Sequence, residues 1–117
     1  MAITVRSRKS KGRRLQIAVA RRIREVYKLE DRDAVSAPAS VGGEDIILSE
    51  KAKKCFPFSV ECKNQEKVKI WEAIAQAEKN TGEGRTPIVV FSRNNAPTYV
   101  AIEFEKFLEL VGPKDVS

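Results

Sequence analysis

The order of apolar patterns along the chain predicts an α/β fold, in which a mixed central sheet is flanked by helices. Helical periodicity comes first, over residues 10–28, and short segments with two-residue alternation follow it. Residues 87–92 (PIVVFS) are almost entirely apolar, which is typical of a central strand covered on both faces. A helical segment precedes that strand, so we expect it to follow a crossover connection.

Length and composition fit one globular domain preceded by a basic arm. The chain has 117 residues, 42% of them hydrophobic, and a chain of this size buries about two-thirds of its unfolded surface. We expect residues 1–9 to form a flexible arm and residues 10–117 a single domain. No run approaches the roughly 18 apolar residues of a membrane span, and the N-terminus lacks the apolar core of a secretory signal. The chain has two Cys, and a reducing cytosol is the simplest compartment for them, so we expect a cytoplasmic protein without membrane contact.

Positive charge is concentrated at the start of the chain. Residues 1–28 contain ten Lys or Arg and one acid, Glu25, whereas the whole chain has a net charge of +6. The remainder is therefore mildly acidic. A basic segment on such a body favours a polyanionic partner, and we expect nucleic acid.

The first half of the chain is predicted to hold one long helix and two short strands. Ser10 suits the N-cap of a helix that ends near Lys28, and Leu15, Val19 and Ile23 form its apolar stripe. The following segments are predicted to be a strand, a loop, a strand and a basic turn, in this order: residues 31–37, 38–43, 44–49 and 50–54.

The second half is predicted to alternate strands with helices. Apolar and polar side chains alternate in residues 57–63, as in a strand with one buried face. Residues 65–80 are predicted to form a helix that the turn-rich NTGEGRTP segment ends. The buried arc of this helix is expected to contain Ile70, Trp71, Ile74 and Ala77. A strand, a second strand and a helix are then predicted over residues 87–92, 98–104 and 105–111.

Three charged residues suggest a site for phosphodiester chemistry. Glu61 and Lys63 share one face of their strand because side chains alternate with period two, and Asp45 opens the preceding strand. A neighbouring strand would bring Asp45 beside Glu61, where two carboxylates repel each other unless a cation lies between them. Lys63 would orient or deprotonate a water, or stabilise charge on the phosphorane. An ordinary ion pair at a strand edge is the alternative interpretation of Glu61 and Lys63.

The residue types indicate which metal would bind. The chain has no His and two Cys, which argues against a zinc site. Oxygen ligands favour Mg²⁺ or Mn²⁺, which Asp45, Glu61, the backbone carbonyl of Cys62 and waters would satisfy.

Asp45 followed by Glu61-Cys62-Lys63 resembles the D-(X)n-E-X-K signature of the PD-(D/E)XK nuclease superfamily. The predicted element order is similar to the αβββαβ, restriction-endonuclease-like core of that superfamily. Residues 11–16 (KGRRLQ) and the basic helix resemble the opening of archaeal Holliday-junction resolvases, and the strand segments are similar to small phage and prophage nucleases. Two positions depart from these patterns, since Glu44 replaces the usual proline and Gln16 replaces the helix glutamate of resolvases.

The resemblance implies further site residues. Gln16 and Gln76 would complete the catalytic group, and Ser36 or Ser40 would match a loop serine near the active site of resolvases. Contacts with nucleic acid are expected from seven residues: Lys11, Arg13, Arg14, Ser36, Ser40, Lys51 and Lys53.

The resemblance also implies a function. The expected activity is a metal-dependent DNA endonuclease of phage or mobile-element origin, acting as a homodimer on Holliday junctions or other branched DNA. Three alternatives remain: a non-catalytic nucleic-acid binder on a nuclease fold, a sequence-specific restriction or homing-type endonuclease, and an RNA-binding protein of ribosomal type.

Overall fold

The computed structural model describes residues 5–39 and 42–114, with side chains from residue 9 onward. A single-turn 3₁₀ helix lies at Asp31–Asp33, between α1 and β1. The remaining elements follow in chain order: α1 Val5–Tyr27, β1 Ala34–Ser36, β2 Ile46–Leu48, α2 Glu50–Cys55, β3 Phe58–Asn64, α3 Ile70–Asn80, β4 Thr86–Ser92, β5 Tyr99–Ala101 and α4 Phe104–Val111. The predicted α/β class is confirmed, and apart from the added α2 the order matches an αβββαβ core.

The strands form two small sheets that meet at the start of β2. β1 and β2 pair antiparallel, while β3 pairs parallel with β4 and β4 pairs antiparallel with β5. The backbone N–H of Asp45, just before β2, donates to the carbonyl of Val60 in β3 at 3.0 Å. This bond places the end of the first sheet against β3, the edge strand of the second.

Helices cover the β3–β4 pair on both faces, because alternate strand residues point to opposite sides. Leu15 and Ile23 of α1 belong to the core cluster that contains Val60 and Cys62 of β3. Ala73 and Ala77 of α3 instead pack with Val89 of β4. β4 is therefore covered on both faces, as its apolar sequence predicts.

Two element boundaries differ from the sequence-based expectation. α1 begins at Val5 rather than Ser10, so that residues 5–9 are helical, and residues 1–4 of the predicted arm lie outside the described part. Arg and Lys are good helix formers, and nothing in this segment breaks the helix before Ser10. The later helix begins at Ile70 rather than residue 65, because the Gln65 N–H donates to the carbonyl of Ser92 and extends the strand ladder.

Two further expectations are wrong. Residues 50–54 belong to α2 rather than to a turn, because the Ser49 hydroxyl accepts from the Ala52 N–H at 3.1 Å and caps the helix. Trp71 is 80% exposed rather than buried. The small side chains of Ala73 and Ala77 face the sheet in its place. In the described ranges, no helix is long and apolar enough to cross a membrane.

Candidate active site

Asp45 is held against β3 by two hydrogen bonds. Its backbone N–H donates to Val60, and its Oδ2 accepts from the backbone N–H of Cys62 at 2.7 Å. The N–H and C=O of one strand residue point to the same edge, so the Cys62 carbonyl also faces the edge where Asp45 lies. The spacing of Asp45 and Glu61 in the sequence therefore brings a carboxylate beside the middle of β3.

Glu61 is a buried carboxyl group next to this edge. Its residue is 2% exposed, and its Oε2 lies 3.5 Å from Lys63 Nζ. Desolvation, followed by the negative charge of Asp45, raises the pKa of Glu61 from 4.5 to about 7, while Lys63 acts in the opposite direction. Desolvation also raises the pKa of Asp45, against the hydrogen bond from Cys62 and the charge of Lys63. Lys63 thus compensates only part of the unfavourable energy of the two carboxylates.

Lys63 is positioned by α3 as well as by Glu61. Its Nζ donates to Gln76 Oε1 at 3.4 Å, across the face that α3 covers. The lysine side chain is 26% exposed, so the ammonium reaches solvent between two acceptors. The sequence-based expectation that Gln76 lies near the site agrees with this position.

Gln16 and Ser36 meet on the α1 side of the molecule. The Ser36 hydroxyl donates to Gln16 Oε1 at 2.7 Å. Ser36 lies opposite Ile46 in the β1–β2 ladder, and the Ala37 N–H donates to the backbone carbonyl of Asp45. Gln16 is therefore linked through Ser36 to the strand that begins beside Asp45.

The donor set fits one small, hard cation. Within residues 5–39 and 42–114, no three Cys, Asp or Glu side chains gather into a metal-binding group. Mg²⁺ commonly takes only one or two protein carboxylates and completes its shell with waters and phosphate oxygens. Asp45 and Glu61 supply two carboxylates, whose mutual repulsion a cation would relieve. Burial and the nearby carboxylates raise the pKa of the Cys62 thiol, so its carbonyl rather than its sulfur would be the ligand.

Two side-chain interactions hold the segment before Asp45 in place. Both terminal guanidinium nitrogens of Arg85 contact the carboxylate of Glu44, with Nη1 at 2.6 Å from Oε1, and both side chains are largely buried. The Asn80 side chain donates to the carbonyl of Gly43 at 3.1 Å, and Gly43 has a φ of +103° that favours glycine. Glu44, which stands where the superfamily usually has proline, therefore anchors this segment to the start of β4.

The predicted nucleic-acid contacts divide into two groups. Arg13 and Arg14 are exposed on α1, while Lys11 is buried and its carbonyl accepts from the Asn64 side chain at 3.1 Å, at the end of β3. Lys51 and Lys53 lie on α2, which follows β2, whereas Asp45 precedes that strand. These two lysines therefore follow the end of β2 opposite to the end that Asp45 precedes. The predicted Ser40 lies outside the described residues.

Two lysines that the sequence-based reasoning missed lie beside the site. Lys67 and Lys69 line a cleft of about 270 Å³ together with Lys63, Gln76 and Glu72. The alternating lysines of the KVK triplet after the β3 strand are the sequence signal that would have found them. The cleft extends the positive surface from Lys63 along the β3–α3 connection.

The fold is compatible with a nuclease core of the PD-(D/E)XK type. A model of the family described as "Phage putative PDDEXK endonuclease" matches residues 7–115, and the chain belongs to this family. The resemblance to the superfamily and to phage nucleases is confirmed. No curated protein and no solved structure matched the chain.

Proposed function

We propose that the protein is a metal-dependent DNA endonuclease whose active site consists of Asp45, Glu61 and Lys63. The single observation that supports this most strongly is the approach of the Asp45 carboxylate to β3 beside a buried Glu61 that is paired with Lys63. A surface ion pair would not need Glu61 to be 2% exposed or two carboxylates to share one strand edge.

Each residue has a distinct role in the proposed reaction. Asp45 and Glu61, with the Cys62 carbonyl, would hold Mg²⁺ or Mn²⁺. The ion would lower the pKa of a water and neutralise charge on the phosphate when bound. Lys63 positions the attacking water or stabilises the negative charge that develops on the phosphoryl oxygens. Gln76 fixes the ammonium of Lys63 by accepting its hydrogen bond.

Gln16 is proposed as a residue that organises the site without adding charge. Its Oε1 is occupied by the Ser36 hydroxyl, so its amide N–H groups are the part of the side chain that can donate. An amide there would donate to a water or a phosphate oxygen beside Asp45. The two carboxylates then provide all the negative charge that the cation requires.

DNA is proposed to follow the positive surface on either side of the site. Lys67 and Lys69 would contact backbone phosphates next to the one at Lys63, and the exposed Arg13 and Arg14 would contribute from α1. Lys67 and Lys69 are added to the residues proposed to contact DNA because they line the cleft beside Lys63. We do not propose that Lys51 or Lys53 contacts DNA near the cleaved phosphate.

The preferred substrate is proposed to be a Holliday junction or other branched DNA, cut by a homodimer in the host cytoplasm. The resemblance of KGRRLQ and α1 to archaeal resolvases supports the junction, and a homodimer would place two sites symmetrically on such a substrate. The second candidate function, a non-catalytic nucleic-acid binder, is favoured by one observation, namely the neutral Gln16 in place of an acid.

A substrate comparison tests this proposal. Purified protein with Mg²⁺ or Mn²⁺ is incubated with a four-way junction, a linear duplex and a single strand of the same sequence. Paired, symmetric cuts in the junction alone would support the structure-selective endonuclease. Cutting of all three substrates would support a nuclease without a preference for junctions. Binding without cutting in either metal would contradict the endonuclease and support the non-catalytic nucleic-acid binder.

A further inference from the structure

The side of the molecule formed by α3, β5 and α4 is an open apolar surface. A cavity of about 1160 Å³ lies between these elements. We call six of its apolar lining residues the apolar groove: Trp71, Ile74, Val100, Ile102, Phe104 and Phe107. Trp71 is 80% exposed and Phe104 66% exposed, although both are large apolar side chains.

The helix α4 forms a ridge beside this groove and is itself without a partner. None of its eight residues is buried, and Leu108, Leu110 and Val111 are all exposed in addition to the two phenylalanines. An isolated helix of eight residues is unstable in water, so its stability in a protein comes from packing an apolar face. In this structure much of that face is still in contact with solvent.

The size of the exposed area matches what an interface between two chains requires. Large aromatic side chains present about 150–250 Å² each, of which Trp71, Phe104 and Phe107 expose 80%, 66% and 45%. With the exposed aliphatic residues Val100, Leu108, Leu110 and Val111, the groove and the ridge together expose on the order of 700 Å². The largest apolar patch of an ordinary monomer is about 300–600 Å². A stable interface buries roughly 800 Å² on each partner, which is close to the area available here.

We propose that a second copy of this chain covers the apolar groove, with α4 of each subunit seated in the groove of the other. The same surface carries both a ridge and a groove, and a two-fold axis brings the ridge of one copy to the groove of its partner. The rim has both signs of charge, since Lys106 lines the cavity with Glu78 and Glu103. A two-fold arrangement can therefore pair opposite charges around the apolar centre.

The charges also argue against DNA as the occupant. Glu78 and Glu103 at the groove and Glu105 and Glu109 on α4 would repel phosphates, unlike the lysine-lined cleft on the other side of α3. The apolar groove lies at the β5 and α4 end of the cavity, and Asp45 lies beyond β3. Arg85, which also lines the cavity, pairs with Glu44 next to Asp45.

This inference deepens the proposed function because it assigns a surface to the proposed homodimer, and its test measures association without DNA. The mass of the chain in solution is determined by light scattering after gel filtration at about 10 μM, a concentration well above a sub-micromolar Kd. The wild type is expected to have twice the mass of one chain. The variant Phe104→Ser/Phe107→Ser is expected to be monomeric, with at least about 100-fold weaker association.

Val26→Ser is the matched control, because Val26 is as exposed as the groove residues but lies on α1. It should leave the dimer intact. Circular dichroism of all variants checks folding, which these exposed substitutions should not disturb. A monomeric wild type would overturn the proposal, and a dimer that survives the double phenylalanine substitution would overturn the assignment of the surface.

A second readout follows from Trp71, because it is the only tryptophan of the chain. In the dimer its indole would be covered, so its emission should shift to shorter wavelength and acrylamide should quench it weakly. Dilution or the double phenylalanine substitution should restore the emission of a water-exposed indole. Emission of the exposed type at every concentration would contradict the proposal, whether or not the protein cuts DNA.

Discussion

At the scale of single residues, the ionised carboxylate of Glu61 is energetically unfavourable in the folded, metal-free protein. It is buried close to Asp45, and the Lys63 ammonium compensates only part of its charge. A carboxyl group with a raised pKa binds protons more tightly in the folded state than in the unfolded state. Its ionisation therefore lowers the free energy of unfolding as the pH rises from about 4.5 to about 7.

Because ionised Glu61 destabilises the folded protein, the effect of Glu61→Gln on the free energy of unfolding should depend on pH. The metal-free wild type should lose stability relative to the variant between about pH 4.5 and 7, by at most about 3 kcal/mol. Mg²⁺ or Mn²⁺ should restore stability to the wild type above pH 7 and have little effect on the variant. Urea unfolding at pH 5 and pH 8, with and without the ion, measures both effects. A wild-type stability that rises over this range relative to Glu61→Gln would contradict the arrangement.

The lysine and the amide beside Glu61 should contribute unequally to the rate. Lys63→Ala removes the charge next to the phosphate, and we expect cleavage to slow by about 10²–10³-fold. Gln76→Ala removes only the acceptor that positions Lys63, and we expect a loss of about tenfold, with Gln76→Glu retaining more activity than Gln76→Ala. Single-turnover cleavage rates at saturating enzyme measure the three variants. Equal losses for Lys63→Ala and Gln76→Ala would show that Gln76 acts on the chemistry directly.

At the scale of elements, the segment before Asp45 depends on the pair formed by Glu44 and Arg85. The two side chains are about 81% and 91% buried, so neither charge is well solvated without the other. Arg85→Met leaves the Glu44 carboxylate unpaired, and we expect a loss of about 3 kcal/mol in the free energy of unfolding. The variant Glu44→Gln/Arg85→Met should recover part of that loss, which a double-mutant cycle in urea measures. If the free-energy changes of the two substitutions are additive, Glu44 and Arg85 do not stabilise each other, which would contradict the proposed role of the pair.

The lysines of the connection between β3 and α3, rather than those of α2, should contact the DNA backbone. Lys67→Gln/Lys69→Gln removes two phosphate contacts, so the slope of log K against log salt should decrease in magnitude by about two for duplex DNA. Lys51→Gln/Lys53→Gln removes the same charge from α2 and serves as the matched control. Fluorescence anisotropy at several salt concentrations measures both. Equal slopes for the two variants would show that DNA does not follow the lysine-lined cleft.

Local patterns in the sequence predict the central elements well. The alternation in residues 57–63 and the apolar run in residues 87–92 correspond closely to β3 and β4. The alternation predicts one buried face, whereas β3 also buries Ser59 and Glu61 on its other face. α2 was missed although Ser49 is a good N-cap, because one short turn of Lys and Glu has no apolar periodicity. The exposure of Trp71 could not be predicted, since periodicity defines the apolar arc but not which of its residues reach the sheet.

At the scale of the whole molecule, the two edges of the β3–β4–β5 sheet have different characters. The β3 edge meets Asp45 and lies beside the basic surface, while β5 and α4 expose apolar side chains with a rim that carries both signs of charge. The sequence spacing predicts that Asp45 lies at the first edge, because Asp45 directly precedes β2 while Glu61 and Lys63 both lie on β3. The second edge brings together α3 and α4, which are more than 20 residues apart, so no local pattern reveals it.

The central claim is that Asp45 and Glu61 support cleavage rather than fold or binding. The most direct measurement compares wild type, Asp45→Asn, Glu61→Gln and the surface control Glu50→Gln, in both cutting and binding of one labelled four-way junction with Mg²⁺. We expect Asp45→Asn and Glu61→Gln to lose cutting and to bind the junction at least as tightly as the wild type, while Glu50→Gln behaves as the wild type. Undiminished cutting by Asp45→Asn or Glu61→Gln would contradict the assignment of the active site.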